Sequence, residues 1–527
     1  MIDASLKSPG LYFEAVKASA DIETLRTDIA GFIGSTKRGP VNRLTRVDGW
    51  RDFVNQFGGE IENFDTAFCV RGYFENGGEI AYVVRTLGTP NTVASAQWQV
   101  GDLDPGTALW QQSAPAAAGF VSSRYNIEAS SPGEWANDLR VSFDYQLRGR
   151  RGEPQLTIKV VPRTDKPEYL SAISPDRLTQ QVEEKSRLIR ITEIPGNVPV
   201  VAPHLGPLQV VWDPIELQYG SEQAADINQY LANIDHLLSE PEVALIALPD
   251  MYQLPEADAY HLLAKVAAQA DVSLDRQIVA TLPPDQLGVD QASQWVQLRR
   301  QQLSSSNSAR SIAVYQPWLE VKNPLGGVIK PLRKVSPVGH VAGLISRLDR
   351  ERGAHHTPAN AVLYDAVDTS QTYDSFEQGD LVDFGLNPLR CRQGSGLQVW
   401  GGRTLADKQT DPEGLYLAHR RLIHRLVRAI RRVAAPLVFS SNGPQLWLVL
   451  VRAITTVLLQ AYRSGALKGE RPEQAFRVIC DESNNPPNLQ DLGQVYCSIE
   501  LAPAVPMEFI TLRISMSSEG RLEVISA

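Results

Sequence analysis

The sequence is poor in cysteine and methionine. Of its 527 residues, four are cysteine and four are methionine. The cysteines are Cys69, Cys391, Cys480 and Cys497, and none of them forms a C-x-x-C pair. The common zinc and thioredoxin-type motifs are therefore excluded. Such sparse cysteine is typical of a protein made in a reducing cytosol, so we expect no disulfide scaffold.

Long apolar runs and basic charge are also scarce. No stretch approaches the ~18 apolar residues that a membrane span requires, and the first residues, Met1–Lys7, do not resemble a signal peptide. Lysine and arginine number 51 against 60 acids, which gives a net charge of -9. This balance argues against nucleic acid as a partner. We expect neither nucleic-acid binding nor direct membrane insertion.

Sequence motifs of common enzymes are missing. There is no G-x-S-x-G, no G-x-G-x-x-G after the first predicted strand and no H-E-x-x-H. Asp250 follows a predicted strand, where α/β enzymes place catalytic groups, but no histidine or cysteine motif accompanies it. We therefore expect no catalytic residue and no cofactor.

A histidine pair is the strongest candidate for a metal site. His355 and His356 are adjacent, with His340 and Asp349 nearby. Adjacent histidines on a helix or strand point in different directions and chelate poorly. Three arginines in the same segment would oppose a cation: Arg347, Arg350 and Arg352. The sequence favours a polar, ion-paired structural segment and no metal.

Hydrophobic periodicity predicts an α/β (α+β mixed) protein. Apolar strands alternate with amphipathic helices from about Ser221 to Trp318, which is typical of βαβ crossovers and a sheet covered on both faces. An apolar content of 43% is that of a soluble globular protein, and the length predicts roughly three or four domains. The predicted segments are an N-terminal extended arm (1–24), a first core segment (25–90), an inserted β-rich module (91–215), a second core segment in an α/β domain (216–365), a C-terminal α/β domain (366–507) and a C-terminal strand arm (508–527).

A predicted helix over Leu415–Arg432 carries an unbroken basic face. Its apolar side consists of Leu422, Ile423, Leu426, Val427 and Ile430. The remaining positions carry Arg420, Arg421, Arg425, Arg428, Arg431 and Arg432, with no acid among them. A solvated helix face usually mixes both signs, so this face indicates either contact with an acidic partner surface or a solvated face of unusual composition. Contact with a membrane surface or with nucleic acid is less favoured, because no aromatic residues interleave with the arginines.

The last third of the chain contains a second apolar helix and a few strands. The helix from Pro444 is apolar almost all round, which predicts a central buried helix. A strand is expected at Leu437–Ser440 and another at Phe509–Met516, which alternates with the period of two. The latter has no evident strand after it to pair with, so we expect it to pair, at least in part, with a neighbouring molecule. A β-prone run near the other end, Leu11–Val16, is expected to behave likewise.

Seven segments follow one another along the chain: Pro9–Glu14, Ile29–Asn42, Ser131–Arg140, Pro337–Gly343, Asp349–Asn360, Val399–Leu405 and Cys480–Pro486. In this order they resemble segments of contractile tail sheath proteins, the family that surrounds the tube of contractile phage tails, R-type bacteriocins and extracellular contractile injection systems. Ser131–Asn137 reads Ser-Pro-Gly-Glu-Trp-Ala-Asn, close to the family's Ser-Pro-Gly-Glu-Trp-Gly-Asn. One departure is Leu217–Glu222, where the family often has a Gly-Gly-Thr-Asp-Gly type of turn.

The resemblance implies a tail-sheath core of α/β sandwich domains with an inserted β-rich outer module and extended terminal β-arms. It further implies a structural, non-enzymatic subunit that stacks as hexameric rings around an inner tube and contracts. The implied partners are copies of the chain, the tube protein, and baseplate and terminal cap proteins, and the question of paralogous sheath subunits is left open. Cytoplasmic synthesis and assembly are implied, with release in a particle by lysis or anchoring in the producing cell.

The residues expected at inter-subunit contacts follow from the strand pattern, the basic helix and the resemblance. The strand arms comprise Leu11, Tyr12, Phe13, Val16, Phe509, Ile510, Leu512, Ile514 and Met516. The basic helix, as our own inference rather than a motif match, contacts an acidic tube surface through Arg420, Arg421, Arg425, Arg428 and Arg432. Two other hypotheses compete with a sheath subunit: a cytosolic α/β hydrolase-like enzyme, and a monomeric binding module whose terminal strands fold back onto its own sheet.

Overall fold

The computed structural model describes most of the chain as two compact units. The described residues are 26–103, 110–112, 123–148, 153–163, 165–174, 177–194, 210–211, 214–286, 288–303, 305–392, 394, 396–504, 510–516 and 522–526. The larger unit comprises Thr27–His424, and the smaller unit contains Arg425–Val505 and the C-terminal strands.

The helices and strands are numbered in chain order. The strands are β1 (Ala30–Gly34), β2 (Leu44–Val47), β3 (Ala81–Arg85), β4 (Ser95–Leu103), β5 (Trp110–Gln112), β6 (Ser123–Ala129), β7 (Arg140–Arg148), β8 (Glu153–Val161), β9 (Glu168–Ile173), β10 (Ile189–Glu193), β11 (Val210–Val211), β12 (Ile215–Glu216), β13 (Leu245–Ala247), β14 (Gln277–Thr281), β15 (Ile312–Gln316), β16 (Leu319–Lys322), β17 (Leu332–Val335), β18 (Ala361–Val362), β19 (Asp368–Thr369), β20 (Leu386–Arg392), β21 (Gly396–Val399), β22 (Phe476–Ile479), β23 (Val495–Leu501), β24 (Ile510–Met516) and β25 (Leu522–Ser526). The helices are α1 (Trp50–Phe57), α2 (Thr66–Glu75), α3 (Leu178–Lys185), α4 (Ile227–Ser239), α5 (Glu256–Ser273), α6 (Val289–Gln302), α7 (Ser306–Arg310), α8 (Val338–Arg352), α9 (Ser375–Asp383), α10 (Leu417–Ala434), α11 (Pro444–Arg463), α12 (Pro472–Ala475) and α13 (Pro487–Asp491).

A nine-stranded mixed sheet is the centre of the larger unit. Its spatial order is β18-β21-β20-β15-β14-β13-β1-β3-β2. The central strands from β3 to β20 are parallel, and the strands at both edges are antiparallel. The α4-β13, α5-β14 and α6-β15 order confirms the predicted βαβ crossovers.

The sheet is buried on both faces because its strands are apolar at nearly every position. In and just before β1, Ile29 and Ile33 face one core, together with side chains of α4, α5 and α6. Ala30 and Phe32 face a second core with side chains of α1, α2 and α8. Successive residues of a strand point to opposite faces, so a continuous apolar run supplies two cores at once.

The predicted boundary at residue 366 lies within this sheet. Strands β20 and β21 come after that boundary, yet β20 pairs with β15 and β21 pairs with β20. The larger unit therefore extends to His424, and the smaller unit begins at Arg425. Long-range strand pairing of this kind is not visible in hydrophobic periodicity.

The segment expected to be β-rich forms two antiparallel sheets. One has the order β10-β6-β4-β5 and the other β11-β7-β8-β9, with β12 also paired to β7. The two sheets share an apolar core in which the rings of Trp98 and Phe143 stack with centroids 3.8 Å apart. We call this part of the larger unit the β module.

The smaller unit contains a four-stranded antiparallel sheet of order β22-β23-β24-β25, together with α11, α12 and α13. The predicted strand Leu437–Ser440 is wrong. A short 3-10 turn over Ala435–Leu437 replaces it, and the Phe439 side chain is exposed. Pro436 in this segment lacks an amide N–H, which disfavours a paired strand.

Helix α11 is half-buried, so its prediction as a central buried helix is also wrong. Leu446, Trp447 and Leu450 pack inward, while Leu448 and Val449 are 50% and 45% exposed. Of the described helices, α11 alone is long and apolar enough to span a membrane, and 33% of its apolar window is buried. This assignment rests on length and composition alone, and a core helix of a soluble protein can meet the same criteria.

Strand β24 has partners within the chain on both sides. It pairs with β23 in the register Leu501↔Ile510 to Val495↔Met516, and with β25 from Leu512↔Ser526 to Met516↔Leu522. The expectation that no strand follows Phe509–Met516 is therefore wrong. The short run Leu522–Ser526, after a Ser-Ser-Glu-Gly turn sequence, completes a hairpin.

Two of the four cysteines are joined, in contrast to the expectation of reduced cysteines. Ile479 is paired with Ser498 in the β22–β23 register, which places Cys480 opposite Cys497. Their Cα atoms are 4.5 Å apart and a disulfide connects them. Cys69 is a buried free thiol and Cys391 is an exposed one.

Candidate assembly site

The segment Ser131–Arg140 anchors the β module to the nine-stranded sheet. The amide N–H of Gly39, just after β1, donates to Ser131 Oγ at 3.0 Å. Asn137 and Gly220 bond to each other twice, through the Asn137 side chain and both backbone groups of Gly220, at 2.9 and 2.8 Å. The segment Ser131–Arg140 is therefore bonded both to the chain before the β module, at Gly39, and to the chain that leaves it, at Gly220.

Arg85 lies at the centre of this junction. Its guanidinium, at the end of β3, donates to the carbonyl oxygens of Gly39 and Pro132, each at 3.1 Å. It also forms an ion pair with Glu222 at 3.0 Å, and its side chain is fully buried. Burial lowers the pKa of Arg85 to about 10, against the opposing effect of Glu222, so the group stays charged at neutral pH. Burial likewise raises the pKa of Glu222, and Arg85 opposes that rise.

The glycine of the motif fits only because it has no side chain. Gly133 has a φ of 128°, and a Cβ at this position would lie 2.6 Å from Glu222 Oε2. A positive φ of this size is strained for any other residue. The Ser-Pro-Gly sequence therefore allows the chain to pass close to the Arg85–Glu222 pair.

A second set of bonds ties the β module to the region after β1. The carboxylate of Asp165, between β8 and β9, accepts from Lys37 Nζ at 3.1 Å and from Arg38 Nη1 at 2.9 Å. The other amino group of Arg38 donates to Val54 O at 2.9 Å. The contacts of Ser131–Arg140 and those of Asp165 are therefore two separate anchors of the β module. Together they restrict its rotation more than one anchor would.

Helices α2 and α8 cross at a distance that requires glycine. A Cβ on Gly339 would lie 2.0 Å from Cys69 O, and one on Gly343 would lie 2.3 Å from Tyr73 O. From the other side, a Cβ on Gly72 would lie 2.3 Å from the His340 ring. The glycine spacing in Pro337–Gly343 is therefore a helix-packing requirement.

The end of α8 is joined to the start of the described chain by charged groups. The Asp349 side chain is 6% exposed, pairs with Arg421 and accepts from Thr27 Oγ1 at 3.0 Å. Arg350 Nη1 lies 3.0 Å from Asp28 Oδ2. Burial raises the pKa of Asp349, and Arg421 opposes the rise. The interpretation of this segment as ion-paired and structural agrees with these contacts.

The residues considered for a metal site are not brought together as ligands. His340 is buried in the α2–α8 crossing, and Asp349 is engaged by Arg421. Within the described part of the chain, no group of three or more histidine, cysteine or acidic side chains could hold a metal ion. Burial lowers the pKa of His340 to about 4, so it is neutral at pH 7.

Asp250 accepts hydrogen bonds from two backbone amides and one hydroxyl. Its Oδ2 accepts from Ser35 N at 2.9 Å and Thr66 Oγ1 at 2.6 Å, and its Oδ1 accepts from Asp65 N at 2.6 Å. Complete burial raises the pKa of Asp250 to about 6. The side chain ties the end of β1 to the start of α2, a structural role that occupies both carboxylate oxygens.

The basic helix is largely internal, so the predicted exposed basic face is wrong for three arginines. Arg420, Arg421 and Arg428 are 3%, 2% and 1% exposed. Arg420 Nη2 lies 3.6 Å from Asp271 Oδ1, and burial lowers the pKa of Arg420 to about 10. Arg428 Nη1 donates to Arg26 O at 3.0 Å. Arg425 is half-buried, and Arg432 is the exposed member of the predicted set.

The acids that pair with Arg420 and Arg421 lie far away in sequence, in α5 and α8. A local scan of charge cannot find them.

The residues predicted for the terminal strand arms fall into two groups. Those outside the described residues are Leu11, Tyr12, Phe13, Val16 and Phe509. Those in β24, which pairs with β23 and β25, are Ile510, Leu512, Ile514 and Met516.

The segment Cys480–Pro486 stabilises a turn against β23. Asn485 is fully buried; its Nδ2 donates to Tyr496 O at 2.9 Å and to Asp481 O at 3.1 Å. Its Oδ1 accepts from Tyr496 N at 2.6 Å. An asparagine side chain therefore pairs with the backbone as a strand residue would.

Known proteins resemble the central region of the chain in sequence. Residues 222–405 match the family model described as the phage tail sheath protein central domain. The tail sheath proteins of Vibrio phage KVP40 and Enterobacteria phage T4 are 27% identical over 193 residues and 23% identical over 198 residues. The two matches cover 35% and 36% of this chain. They cover 27% and 28% of the relatives, so this chain spans about a quarter of their length.

Solved sheath structures resemble the fold over nearly the whole chain. The sheath tail protein of Listeria innocua gives a TM-score of 0.63 at 10% identity, over 94% of this chain and 96% of that one. The sheath tail protein of Desulfitobacterium hafniense gives 0.60 at 12% identity, over 96% and 100%. The helical sheath of the anti-feeding prophage in its contracted state gives 0.55 at 18% identity, over 96% and 98%. These likenesses show the sheath fold over nearly the whole chain, and the sequence match identifies residues 222–405 as a phage tail sheath protein central domain.

Proposed function

We propose that the chain is a structural subunit of a contractile sheath. It polymerises as stacked hexameric rings around an inner tube and contracts to drive the tube through a target envelope. The observation that carries this proposal is the likeness to sheath folds over 94% to 96% of the chain. One of these similar structures is described as a helical sheath in a contracted state, and another comes from the baseplate of the same system.

The proposed role is mechanical and needs neither catalysis nor a cofactor. The extended sheath is a metastable arrangement in this proposal, and contraction lowers the free energy as subunit faces slide and pack again. A rigid subunit is suited to this motion. The two anchors of the β module and the glycine-dependent α2–α8 crossing would keep the larger unit intact while its outer faces change partners.

Strand addition between subunits belongs to the proposal. The sheet of the smaller unit ends at β22 on one side and at β25 on the other, within the described strands. An extended segment of a neighbour can add to such an edge through backbone hydrogen bonds. We assign this role to the N-terminal segment with Leu11, Tyr12, Phe13 and Val16, which contains the β-prone run.

The C-terminal strand can be exchanged only as a swap. Because β24 pairs with both β23 and β25, it has no open edge of its own. Exchange would require the hairpin with Ile510, Leu512, Ile514 and Met516 to leave β23 and pair with β23 of a second copy. Phe509 directly precedes this hairpin and would move with it.

The tube contact of the basic helix is retained for Arg425 and Arg432. The burial of Arg420, Arg421 and Arg428 leaves these two positions with access to solvent. The other proposed partners are baseplate and terminal cap proteins. The proposed location is a phage tail or tail-like particle, made in the cytoplasm and then released by lysis or anchored in the producing cell.

Sedimentation tests self-assembly and its dependence on the N-terminal segment. The full chain is expected to form particles far larger than a monomer, and a variant lacking residues 1–24 is expected to remain small with an unchanged circular dichroism spectrum. A matched control replaces residues 1–24 by a scrambled sequence of the same composition. If the deletion variant assembles as well as the full chain, N-terminal strand addition is not the link between subunits.

A further inference from the structure

A polar cavity in the larger unit is lined by two arginines that form no ion pair with any acid in the described part of the chain. The cavity has a volume of about 440 Å³ and lies between the end of β20, the loop after β19 and α9. Arg390 and Arg392 of β20 both line it, and as residues i and i+2 of one strand they share a face. The described residues that line the cavity include no aspartate or glutamate.

The two arginines have no ionic partner among the residues that the structure describes. Neither takes part in any of the salt bridges found there, and Arg390 Nε is buried without a hydrogen bond. The Arg390 guanidinium lies over the Trp400 ring, 3.2 Å from its centroid, which holds it beside the cavity. Arg392 is exposed. Burial lowers the pKa of Arg390, and the charge of Arg392 lowers it further, which is the electrostatic cost of placing two like charges together.

A buried hydroxyl completes the set of donors. Thr369 is 7% exposed, lines the cavity and has no hydrogen-bond partner for its Oγ1. Thr372 adds an exposed hydroxyl at the rim. Buried polar groups normally have partners, so this hydroxyl, in a cavity that two guanidinium groups also line, is available to a ligand. A ligand that engages all three groups would bear negative charge and accept several hydrogen bonds.

We propose that this cavity binds a carboxylate through Arg390, Arg392 and Thr369, and that an acidic side chain of a second copy of this chain supplies it. Arginine is suited to carboxylates because its planar guanidinium presents paired N–H donors. The chain supplies acids in excess, with 60 acidic residues against 51 basic ones. A locally basic cavity on an acidic protein is thus complementary to the surface of its own copies. The choice of a second copy rests on the proposed self-assembly, whereas carboxylate binding itself does not.

Isothermal titration calorimetry with citrate on the unassembled protein tests the binding step. At constant ionic strength, the wild-type chain is expected to bind citrate saturably, and R390Q/R392Q is expected to bind at least tenfold more weakly because charge-assisted hydrogen bonds are lost. R352Q is the matched control: it removes an exposed arginine outside the cavity, and its affinity should equal that of the wild type. R392Q alone should also weaken citrate binding, and this single variant replaces R390Q/R392Q in the titration if the double variant does not fold. No saturable binding, or equal affinity in R392Q and the wild type, would overturn the proposal.

An assembly measurement then identifies the source of the carboxylate. If a second copy supplies it, R392Q slows the growth of light scattering during assembly, and citrate slows the wild type but not R392Q. If citrate binds but neither change occurs, a free anion is the ligand and the assignment to a second copy is wrong. If citrate binds to a chain that never assembles, the binding site stands and the proposed sheath function fails.

Discussion

The guanidinium of Arg85 lies 3.0 Å from the carboxylate of Glu222, at the junction of the nine-stranded sheet and the β module. Arg85 belongs to the last position of β3, and Glu222 follows the return of the chain from the β module. The same guanidinium also satisfies the carbonyl oxygens of Gly39 and Pro132. One side chain thus joins both connections of an inserted module to its core.

Removal of this guanidinium should destabilise the chain strongly. R85A leaves two carbonyl oxygens and a partly buried carboxylate without their partner, so we expect a loss of about 3 kcal/mol in the free energy of unfolding. R140A is the control, since Arg140 pairs with Glu216 on the surface at 59% and 40% exposure, and should cost less than about 1 kcal/mol. Urea denaturation measures both. Equal effects of R85A and R140A would show that Arg85 does not hold the junction.

A methyl group at the α2–α8 crossing should force the helices apart. G343A places a Cβ 2.3 Å from Tyr73 O. This oxygen belongs to the backbone of α2, so the clash is relieved only if the helices move apart, which costs free energy. We expect a loss of roughly 2 kcal/mol or more in the free energy of unfolding. G379A in α9 is the control because nothing lies within 4 Å of its Cβ, and alanine should be neutral or stabilising there. A melting temperature of G343A as high as that of G379A would contradict the close crossing.

The pKa of Asp250 predicts a pH dependence of stability. Its value of about 6 in the folded chain lies above the ordinary aspartate value of 3.8. The folded state then binds more protons between these pH values, so this group's contribution is greatest below about pH 4 and is lost as the pH rises to 6. The change amounts to roughly 3 kcal/mol. Burial of His340, whose pKa is lowered to about 4, produces a slope of opposite sign over pH 4 to 6.5.

A comparison with D250N separates these two slopes. The variant loses acceptors for Ser35 N, Asp65 N or Thr66 Oγ1, so it should be less stable at every pH. It also lacks the titrating group, so the difference in unfolding free energy between wild type and variant should shrink as the pH rises from 4 to 6. Denaturant melts at four pH values measure that difference. A difference independent of pH would show that Asp250 titrates normally.

The Cys480–Cys497 bond should stabilise the smaller unit. The bond closes a loop with a sequence separation of 17, which corresponds to roughly 3 kcal/mol of stabilisation in the chain-entropy model. We expect C480S/C497S and the reduced wild type to lose similar stability, and C391S, which removes an exposed free thiol, to have no effect. Peptide mapping without reductant checks the bond itself. If the oxidised protein shows four free thiols, the pairing is wrong.

Hydrophobic periodicity is sufficient to predict much of the larger unit. Strands such as Gln277–Thr281 are buried at every position, and their largely apolar sequences predict the buried parallel sheet without knowledge of the partners. The β-rich character of 91–215 is likewise visible in composition. The boundary at residue 366 is wrong because the pairing of β20 with β15 depends on contacts between residues distant in sequence.

The charged sites are harder to predict for the same reason. The arginines of α10 resemble a surface because no acid lies within that helix, yet Arg421 meets Asp349 and Arg420 meets Asp271 from other elements. Cys480 and Cys497 become neighbours only once the β22–β23 register is known. Leu522–Ser526 could have been found, since a turn followed by alternating apolar residues predicts the second strand of a hairpin.

Negative-stain electron microscopy of the purified chain, alone and co-expressed with the proposed tube protein, tests the central claim most directly. A sheath subunit should form hollow, striated cylinders in at least one of the two preparations. Small discrete particles in both preparations, even at high protein concentration, would contradict the sheath function and favour a monomeric binding module or an enzyme.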